Sequence, residues 1–132
     1  MRKEQPKTKP RALVVDDDKV TNDLICEFLI MKGFVVDPAF NGLEASQKFN
    51  PTKHDLVITD LAMPLMNGWE LIAVLHKRAP ALPIILITAY WGDFKQRQEQ
   101  REGVSAVLNK PVNLSQLAST VAQLMPSAIA AS

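Results

Sequence analysis

Short apolar runs alternate along this chain with stretches whose apolar residues recur at helical spacing, and this alternation limits the fold most strongly. The runs are Ala12 to Val15, Phe34 to Val36, Leu56 to Thr59, Ile84 to Thr88 and Val104 to Leu108. Short continuous apolar runs are typical of buried β-strands. The helical stretches carry Val20, Leu24, Phe28 and Met31, then Leu71, Val74 and Leu75, then Leu114, Leu117, Val121 and Leu124. We therefore predict five repeats of a strand followed by a helix.

Start and stop signals support the predicted helices. Three pairs each place a capping asparagine three residues before an acid or amide: Asn41 with Glu44, Asn67 with Glu70, and Asn113 with Gln116. Gly33 and Gly103 lie just before predicted strands, where a helix often ends in a left-handed residue. Alternating β and α elements with crossovers of one hand form a doubly wound parallel sheet between two helical layers. The predicted fold is thus an α/β three-layer sandwich with five strands and five helices.

The chain has 132 residues, enough for one domain with a sizeable core. We expect the domain to span residues 11–125, between a flexible basic tail at 1–10 and a short tail at 126–132. A net charge of +1 argues against a nucleic-acid-binding surface, and no apolar stretch approaches a membrane span. The first residues lack the apolar segment of a secretory signal, and the sole cysteine, Cys26, cannot form an intramolecular disulfide. These features favour a cytoplasmic protein.

Acidic residues directly follow two of the apolar runs. Asp16 and Asp17 come after the first run, and Asp60 comes after the third run along the chain. In an open parallel sheet, ligands bind beyond the carboxyl ends of the strands, so we expect these acids to share one rim. Clustered carboxylates repel one another unless a cation or a raised pKa relieves them. An all-oxygen site suits Mg²⁺, whereas His54 and His76 stand alone and are interpreted as surface residues.

Two further polar residues fall at the same predicted edge. Lys110 lies before Pro111, after the fifth run, and its ammonium could pair with Asp60 or with phosphoryl oxygens. An X-Pro bond allows a cis geometry, which would fix where the lysine side chain points. Thr88 places a hydroxyl where the fourth strand ends. Each residue alone is compatible with an ordinary loop or strand position, and only the set indicates a functional site.

Taken together, these residues resemble the response-regulator receiver domain of two-component signalling. The resemblance rests on the acids that end the first strand, on the segment Leu56 to Pro64 that contains Asp60, on Thr88-Ala89 and on Lys110-Pro111. It covers about residues 11 to 125. The resemblance implies a flavodoxin-like sheet of strand order 2-1-3-4-5, whose switch point falls between strands one and three.

The resemblance also implies roles for these residues. Asp60 would be the nucleophile that takes a phosphoryl group from the phosphohistidine of a histidine kinase or histidine phosphotransfer protein. Mg²⁺ would contact Asp17, Asp60 and the backbone carbonyl of Ala62, with Asp16 acting through water. Lys110 would neutralise one phosphoryl oxygen, while the Thr88 hydroxyl and the Ala89 amide would bind another. The module would not be a conventional enzyme, although it would assist its own phosphorylation and dephosphorylation.

Three positions of the switch differ from the usual family pattern. Val107 stands three residues before Lys110, where family members carry an aromatic residue that turns inward when the threonine moves. Ala62 and Tyr90 lie two residues beyond Asp60 and Thr88, at positions that tune attack of water on the phosphate. We therefore expect the phosphate lifetime to depart from that of a chemotaxis-type receiver.

The resemblance places a docking or homodimer face on the charged segment from Asp93 to Glu102, the fifth strand and the helix from Asn113 to Met125. Phosphatases of the haloacid dehalogenase type share the chemistry, but their nucleophile follows the first strand. A magnesium-dependent nucleic-acid enzyme is disfavoured by the near-neutral charge. Two alternatives keep the fold: a phosphorylation-independent docking module, and a receiver cut from a hybrid histidine kinase or a longer transcription factor.

Overall fold

The computed structural model describes residues 9–89 and 102–126, which form a parallel sheet flanked by helices. The elements are β1 (Arg11–Val15), α1 (Lys19–Met31), β2 (Val35–Ala39), α2 (Gly42–Lys48), β3 (Leu56–Asp60), α3 (Gly68–Arg78), β4 (Ile84–Thr88), β5 (Ala106–Asn109) and α4 (Leu114–Leu124). The strands lie in the order β2-β1-β3-β4-β5, and every neighbouring pair is parallel. The predicted fold and strand order are confirmed. Among the described residues there are four of the five predicted helices, since residues 93–101 of the remaining one lie outside them.

The core consists of two apolar layers, one on each face of the sheet. Successive residues of a strand point to opposite faces. Ala12 and Val14 of β1 therefore pack with α1 and α4, whereas Leu13 and Val15 pack with α2 and α3. β3 and β4 are buried along their whole length because both faces are covered. This is the predicted three-layer sandwich. No helix in the described ranges is both long and apolar enough to cross a membrane.

Asparagine caps begin three of the helices, as the spacing predicts. The Oδ1 atoms of Asn41, Asn67 and Asn113 each accept a hydrogen bond from the backbone N–H three residues later, at 2.8–2.9 Å. At α3 the bond is reciprocal, because Glu70 Oε1 accepts the Asn67 N–H at 2.9 Å. This capping box satisfies two backbone donors that the helix leaves without partners. It fixes the start of α3, which follows the loop from the end of β3.

Glycines take the left-handed conformation where helix stops are predicted. Gly33 has φ of 95° and Gly103 has φ of 90°. After α1, the N–H of Phe34 donates to the Leu29 carbonyl and that of Gly33 donates to the Ile30 carbonyl, both at 3.0 Å. These two bonds form the Schellman motif, which ends a helix by satisfying its last carbonyls.

The buried face of α1 differs from the one that the apolar spacing suggests. The helix is confirmed, but Val20 and Met31 are 76% and 83% exposed. Its buried residues are Asn22, Ile25 and Leu29. Because α1 carries apolar residues on both faces, spacing alone does not show which face packs against the sheet.

The surface position predicted for His54 is wrong. Its side chain is 3% exposed, and its ring stacks on Phe49 with centroids 5.6 Å apart. His54 Nδ1 accepts the Asn50 N–H at 3.0 Å, and Nε2 lies 2.8 Å from Asp37 Oδ2. A histidine is readily buried when both ring nitrogens have partners. The sequence separates these partners by up to 17 residues, so their meeting depends on the fold.

β2 begins one residue later and ends three residues later than the apolar run that predicts it. The strand includes Asp37 and Pro38, which are polar or lack an N–H donor. β2 lies at the edge of the sheet, where proline is tolerated and one side meets solvent. Asp37 accepts a hydrogen bond from Arg11 Nε at 2.9 Å. The apolar run is short because only part of this strand is covered.

Replacement of Asn67 by alanine tests the cap of α3. Asn67→Ala should lower the free energy of unfolding by about 1 kcal/mol, because the Glu70 N–H loses its acceptor. Urea unfolding monitored by circular dichroism measures this loss. Asn67→Asp keeps a capping oxygen and serves as the matched control. Equal stability of Asn67→Ala and the natural protein would contradict a stabilising role of the cap.

Candidate functional site

The carboxyl ends of β1 and β3 bring the predicted acids together. Val15 is in register with Thr59, so Asp16 and Asp60 follow side by side on neighbouring strands. One carboxylate oxygen from each of Asp16, Asp17 and Asp60 lies within 4.8 Å of the others. Asp16 and Asp60 are buried, whereas Asp17 is exposed. The parallel sheet therefore assembles the cluster from residues that are 43 or 44 positions apart.

Lys110 reaches this cluster from the end of β5. Its Nζ lies 3.0 Å from Asp16 Oδ2 and 3.2 Å from Asp60 Oδ2. Its backbone N–H donates to the Thr88 carbonyl at 3.0 Å, which ties the residue to the end of β4. The Lys110–Pro111 peptide bond is cis. Burial lowers the pKa of the Lys110 ammonium, but its contacts with Asp16 and Asp60 outweigh this and raise it overall.

The pKa of the buried Asp60 carboxyl is raised by some of its surroundings and lowered by others. Burial raises its pKa from 3.8 to about 6, and the neighbouring Asp16 carboxylate adds to the rise. Lys110 and the Leu61 N–H, which donates to Asp60 Oδ1 at 2.8 Å, act in the opposite direction. At neutral pH Asp60 is therefore mostly ionised but more basic than an ordinary aspartate. A basic, partly desolvated carboxylate is suited to act as a nucleophile.

The three carboxylates fit a hard divalent cation. Asp16 Oδ2 accepts no well-oriented hydrogen bond from the described residues, although Lys110 Nζ is near. In the described part of the chain, three clustered acids face one ammonium group, so these residues together carry an excess of negative charge. An oxygen-only donor set of this kind suits Mg²⁺ or Ca²⁺ better than zinc or copper. This donor set agrees with the predicted cation.

The other predicted residues lie around the same rim. Thr88 is the buried last residue of β4, one position beyond the pair formed by Ile87 and Asp60. Ala89 follows it and is exposed, and Ala62 is exposed in the loop after β3. Val107 is half-buried in β5 against the core layer of α2 and α3. Tyr90 lies outside the described residues.

Gly68 brings the start of α3 close to Asp60. Its N–H donates to the Leu61 carbonyl at 2.8 Å. A Cβ atom at this position would lie 2.5 Å from the Asp60 carbonyl oxygen, far inside normal contact distance. Only glycine permits this approach without a shift of the backbone beside Asp60.

The sequence marks Asp18 as one of three successive acids, but its capping role and the burial of Asn22 were not predicted. Asp18 is the N-cap of α1, where its carboxylate accepts hydrogen bonds from the Thr21 hydroxyl and N–H. Asn22 is fully buried, and its side chain contacts the carbonyls that end β1 and β2. Asn22 lies on the same helical face as the apolar residues Ile25 and Leu29, and this pattern is a signal that could have identified it as buried. The exposed apolar residues Val20 and Met31 suggest a different buried face and hide that signal.

Comparisons with known proteins agree with this geometry. A family model for the response regulator receiver domain matches residues 12–122. The chain is similar to a probable transcriptional regulator, ycf29, from Porphyra purpurea, with 36% identity over 115 residues that cover 86% of this chain and 55% of that protein. It is also similar to the sensor protein EvgS from Escherichia coli (strain K12), with 37% identity over 128 residues that cover 92% of this chain and 10% of EvgS.

The structure is similar to a crystal structure of the response regulator protein TrrA from Thermotoga maritima in complex with Mg²⁺-BeF. The TM-score is 0.80 and the identity 34%, and the match covers 88% of this chain and 99% of the TrrA chain. By contrast, the chain spans about half the length of the curated transcriptional regulators that it matches.

The raised pKa of Asp60 makes a prediction about stability. The folded carboxyl, with a pKa of about 6, holds its proton more tightly than the unfolded one, with 3.8. The free energy of unfolding should therefore fall as the pH rises from about 4 to about 6. Asp60→Asn removes the ionisable group and with it this loss. The free energy of unfolding of the variant should therefore exceed that of the natural protein by about 1–2 kcal/mol at neutral pH, and the two should be almost equal at acid pH.

Urea unfolding across this pH range, without divalent cations, measures the difference between Asp60→Asn and the natural protein. Glu27→Gln, at an exposed position of α1, is the matched control for the loss of one acidic side chain. If the two proteins differ in free energy of unfolding by the same amount at every pH, the pKa of Asp60 is not raised by folding.

Proposed function

The chain belongs to the response regulator receiver domain family of two-component signalling, and from this premise we propose that Asp60 accepts a phosphoryl group. The observation that carries the proposal is the geometry of its carboxylate. One oxygen accepts the Leu61 N–H, the other faces Lys110 at 3.2 Å, and two further acids lie within 4.8 Å. We propose that the receiver module spans residues 11–125 and acts as a signalling switch rather than as a conventional enzyme.

The proposed donor is a phosphohistidine on a sensor histidine kinase or a histidine phosphotransfer protein. An Asp60 oxygen attacks phosphorus, a P–O bond forms and the P–N bond breaks. The electron pair leaves with the imidazole nitrogen, which takes a proton. Asp60 is ionised at neutral pH, since its pKa of about 6 lies below 7, so its carboxylate can act as the nucleophile.

We propose that the acid cluster binds Mg²⁺ during this transfer. Asp17, Asp60 and the Ala62 carbonyl would contact the ion directly, and Asp16, already engaged by Lys110 at 3.0 Å, would act through water. When bound, Mg²⁺ supplies positive charge that offsets both the carboxylates and the incoming phosphoryl oxygens. The similar TrrA chain was crystallised with Mg²⁺-BeF, which supports this choice of ion.

Lys110 and Thr88 are the proposed sensors of the phosphoryl group. The Lys110 ammonium, now shared by Asp16 and Asp60, would pair with a phosphoryl oxygen. The Thr88 hydroxyl and the Ala89 N–H would donate to another oxygen. Because Lys110 N–H is bonded to the Thr88 carbonyl, movement of one residue is passed to the other. The loops after β4 and β5 would therefore shift together.

The switch is proposed to work without an inward-turning aromatic residue in β5. Val107 occupies the corresponding position and packs against the core layer of α2 and α3. A valine has no ring to rotate, so coupling would depend on the loop displacement described above.

We also propose that Ala62 and Tyr90 set the phosphate lifetime, since neither position matches a chemotaxis-type receiver.

The output surface is proposed to comprise residues 93–102, β5 and α4, where a target or a second copy of the chain would dock. Residues 93–101 of this surface lie outside the described ranges. The relatives include part of a transcriptional regulator and part of a sensor protein, so an origin within a longer transcription factor or hybrid kinase remains a second proposal. We further propose a cytoplasmic location, action through protein partners, and no direct contact of this domain with nucleic acid or membrane.

Intact mass measurement tests phosphorylation directly. Incubation with acetyl phosphate or phosphoramidate and Mg²⁺ should add one phosphoryl group, because these small donors can replace the phosphohistidine. Removal of Mg²⁺ and the Asp60→Asn exchange should each abolish the gain. If neither donor modifies the protein while Mg²⁺ is present, the result favours the phosphorylation-independent docking module.

Exchange of Ala62 and Tyr90 tests the proposed control of phosphate lifetime. The double variant Ala62→Asn, Tyr90→Glu should lose its phosphoryl group at a different rate, because both positions are proposed to tune the attack of water on the phosphate. The decay is timed by intact mass after the donor is removed. Ala73→Asn, at an exposed position of α3, is the matched control and should decay at the natural rate. Unchanged decay in the double variant would contradict the proposal.

A further inference from the structure

Asn22 is a fully buried amide on the face of α1 that packs against the sheet. It is 0% exposed and shares that face with Ile25 and Leu29. Burying an amide is costly unless hydrogen bonds compensate for the lost water. A core position on an amphipathic helix would ordinarily be occupied by an apolar residue. The partners of Asn22 therefore indicate what the amide contributes.

The amide nitrogen of Asn22 lies among three backbone carbonyls. Nδ2 donates to the Ala39 oxygen at 2.9 Å and to the Asp16 oxygen at 3.2 Å, with the Val14 oxygen at 3.4 Å. Only the nitrogen of the amide can face three acceptors, so the chemistry fixes its orientation. The contacts join α1 to the ends of β1 and β2.

Asp16 is held at both ends of its backbone by this arrangement. Its N–H donates to the Ala39 carbonyl at 3.1 Å, and its carbonyl accepts from Asn22. Its side-chain Oδ1 accepts a hydrogen bond from the Asp18 N–H at 2.9 Å. The other carboxylate oxygen, Oδ2, lies 3.0 Å from Lys110 Nζ. The backbone of Asp16 leads directly into Asp17. A shift of this carbonyl would move both acids.

The side-chain oxygen of Asn22 also has a hydrogen-bond partner. Cys26 Sγ–H donates to Asn22 Oδ1 at 3.2 Å, one helical turn further along α1. Burial, with smaller contributions from Asp23 and Glu27, raises the pKa of the Cys26 thiol to about 11. The thiol therefore stays protonated at neutral pH and remains a donor. Both polar atoms of Asn22 are thus occupied, and its side chain has one arrangement.

We propose that Asn22 is a positioning residue that holds Asp16 and Asp17 in the arrangement that binds Mg²⁺. It does not touch the acid carboxylates but fixes the backbone from which they extend. Partners that orient metal ligands in this way commonly contribute tenfold or more to affinity. The inference rests on the proposed function, since it assumes that the acid cluster binds the ion.

Calorimetric titration with Mg²⁺ tests the inference. Asn22→Ala removes every contact of the amide, and Asn22→Leu fills the same volume without them. Both should weaken Mg²⁺ binding by about tenfold. Leu29→Ala, on the same buried face, is the control for general loosening of α1 and should bind Mg²⁺ as the natural protein does. All titrations are made where circular dichroism shows each variant fully folded.

The outcomes separate the inference from the proposed function. If the natural protein does not bind Mg²⁺, the proposed function itself is contradicted. If the natural protein binds Mg²⁺ and both Asn22 variants bind it equally well, the positioning role is overturned. Equal weakening in Leu29→Ala would also overturn it, because the loss would then reflect loosening of the helix.

Nuclear magnetic resonance of the natural protein gives a readout that needs no variant. The side-chain amide signals of Asn22 should shift as Mg²⁺ is added, with the same midpoint as the backbone amide of Asp17. This is expected because the Asp16 carbonyl connects the two groups. Amide signals that stay fixed while Asp17 titrates would overturn the inference, even if the Asn22 variants fail to fold.

Discussion

The contact of Lys110 with Asp16 and Asp60 is the interaction on which the site depends. Two buried carboxylates on neighbouring strands repel each other, and burial increases this cost. The ammonium lies 3.0 and 3.2 Å from them and offsets part of the repulsion. The offset is incomplete, since the pKa of Asp60 remains raised to about 6. Among the described residues, the Lys110 ammonium therefore offsets only part of the negative charge at this edge of the sheet.

The sheet makes this contact possible because all its strands are parallel. β1, β3, β4 and β5 end on the same edge, so acids, a hydroxyl and an amine that are distant in sequence meet there. Gly68 lets α3 start directly beside Asp60. The candidate site is thus assembled from the ends of several strands rather than from any single segment.

Much of this could be predicted from the sequence, for identifiable reasons. Apolar runs and asparagine caps are local signals, so the strands, the helix starts and the rim residues Asp16, Asp60 and Lys110 were found. The burial of His54 was not, because it depends on Asp37 across the fold. Asn22 was missed because exposed apolar residues on α1 gave a competing periodicity. Local patterns identify elements, whereas the partners of buried polar groups follow only from the assembled structure.

The edge strand β2 also has a consequence for how the molecule behaves in a crowded solution. Its Asp37 is charged, and Pro38 removes one backbone donor from the strand. Exposed strand edges can recruit strands from other molecules, and charge and proline are features that hinder such pairing. The residues that shorten the apolar run of β2 are thus also residues that hinder pairing of this edge with strands of other molecules.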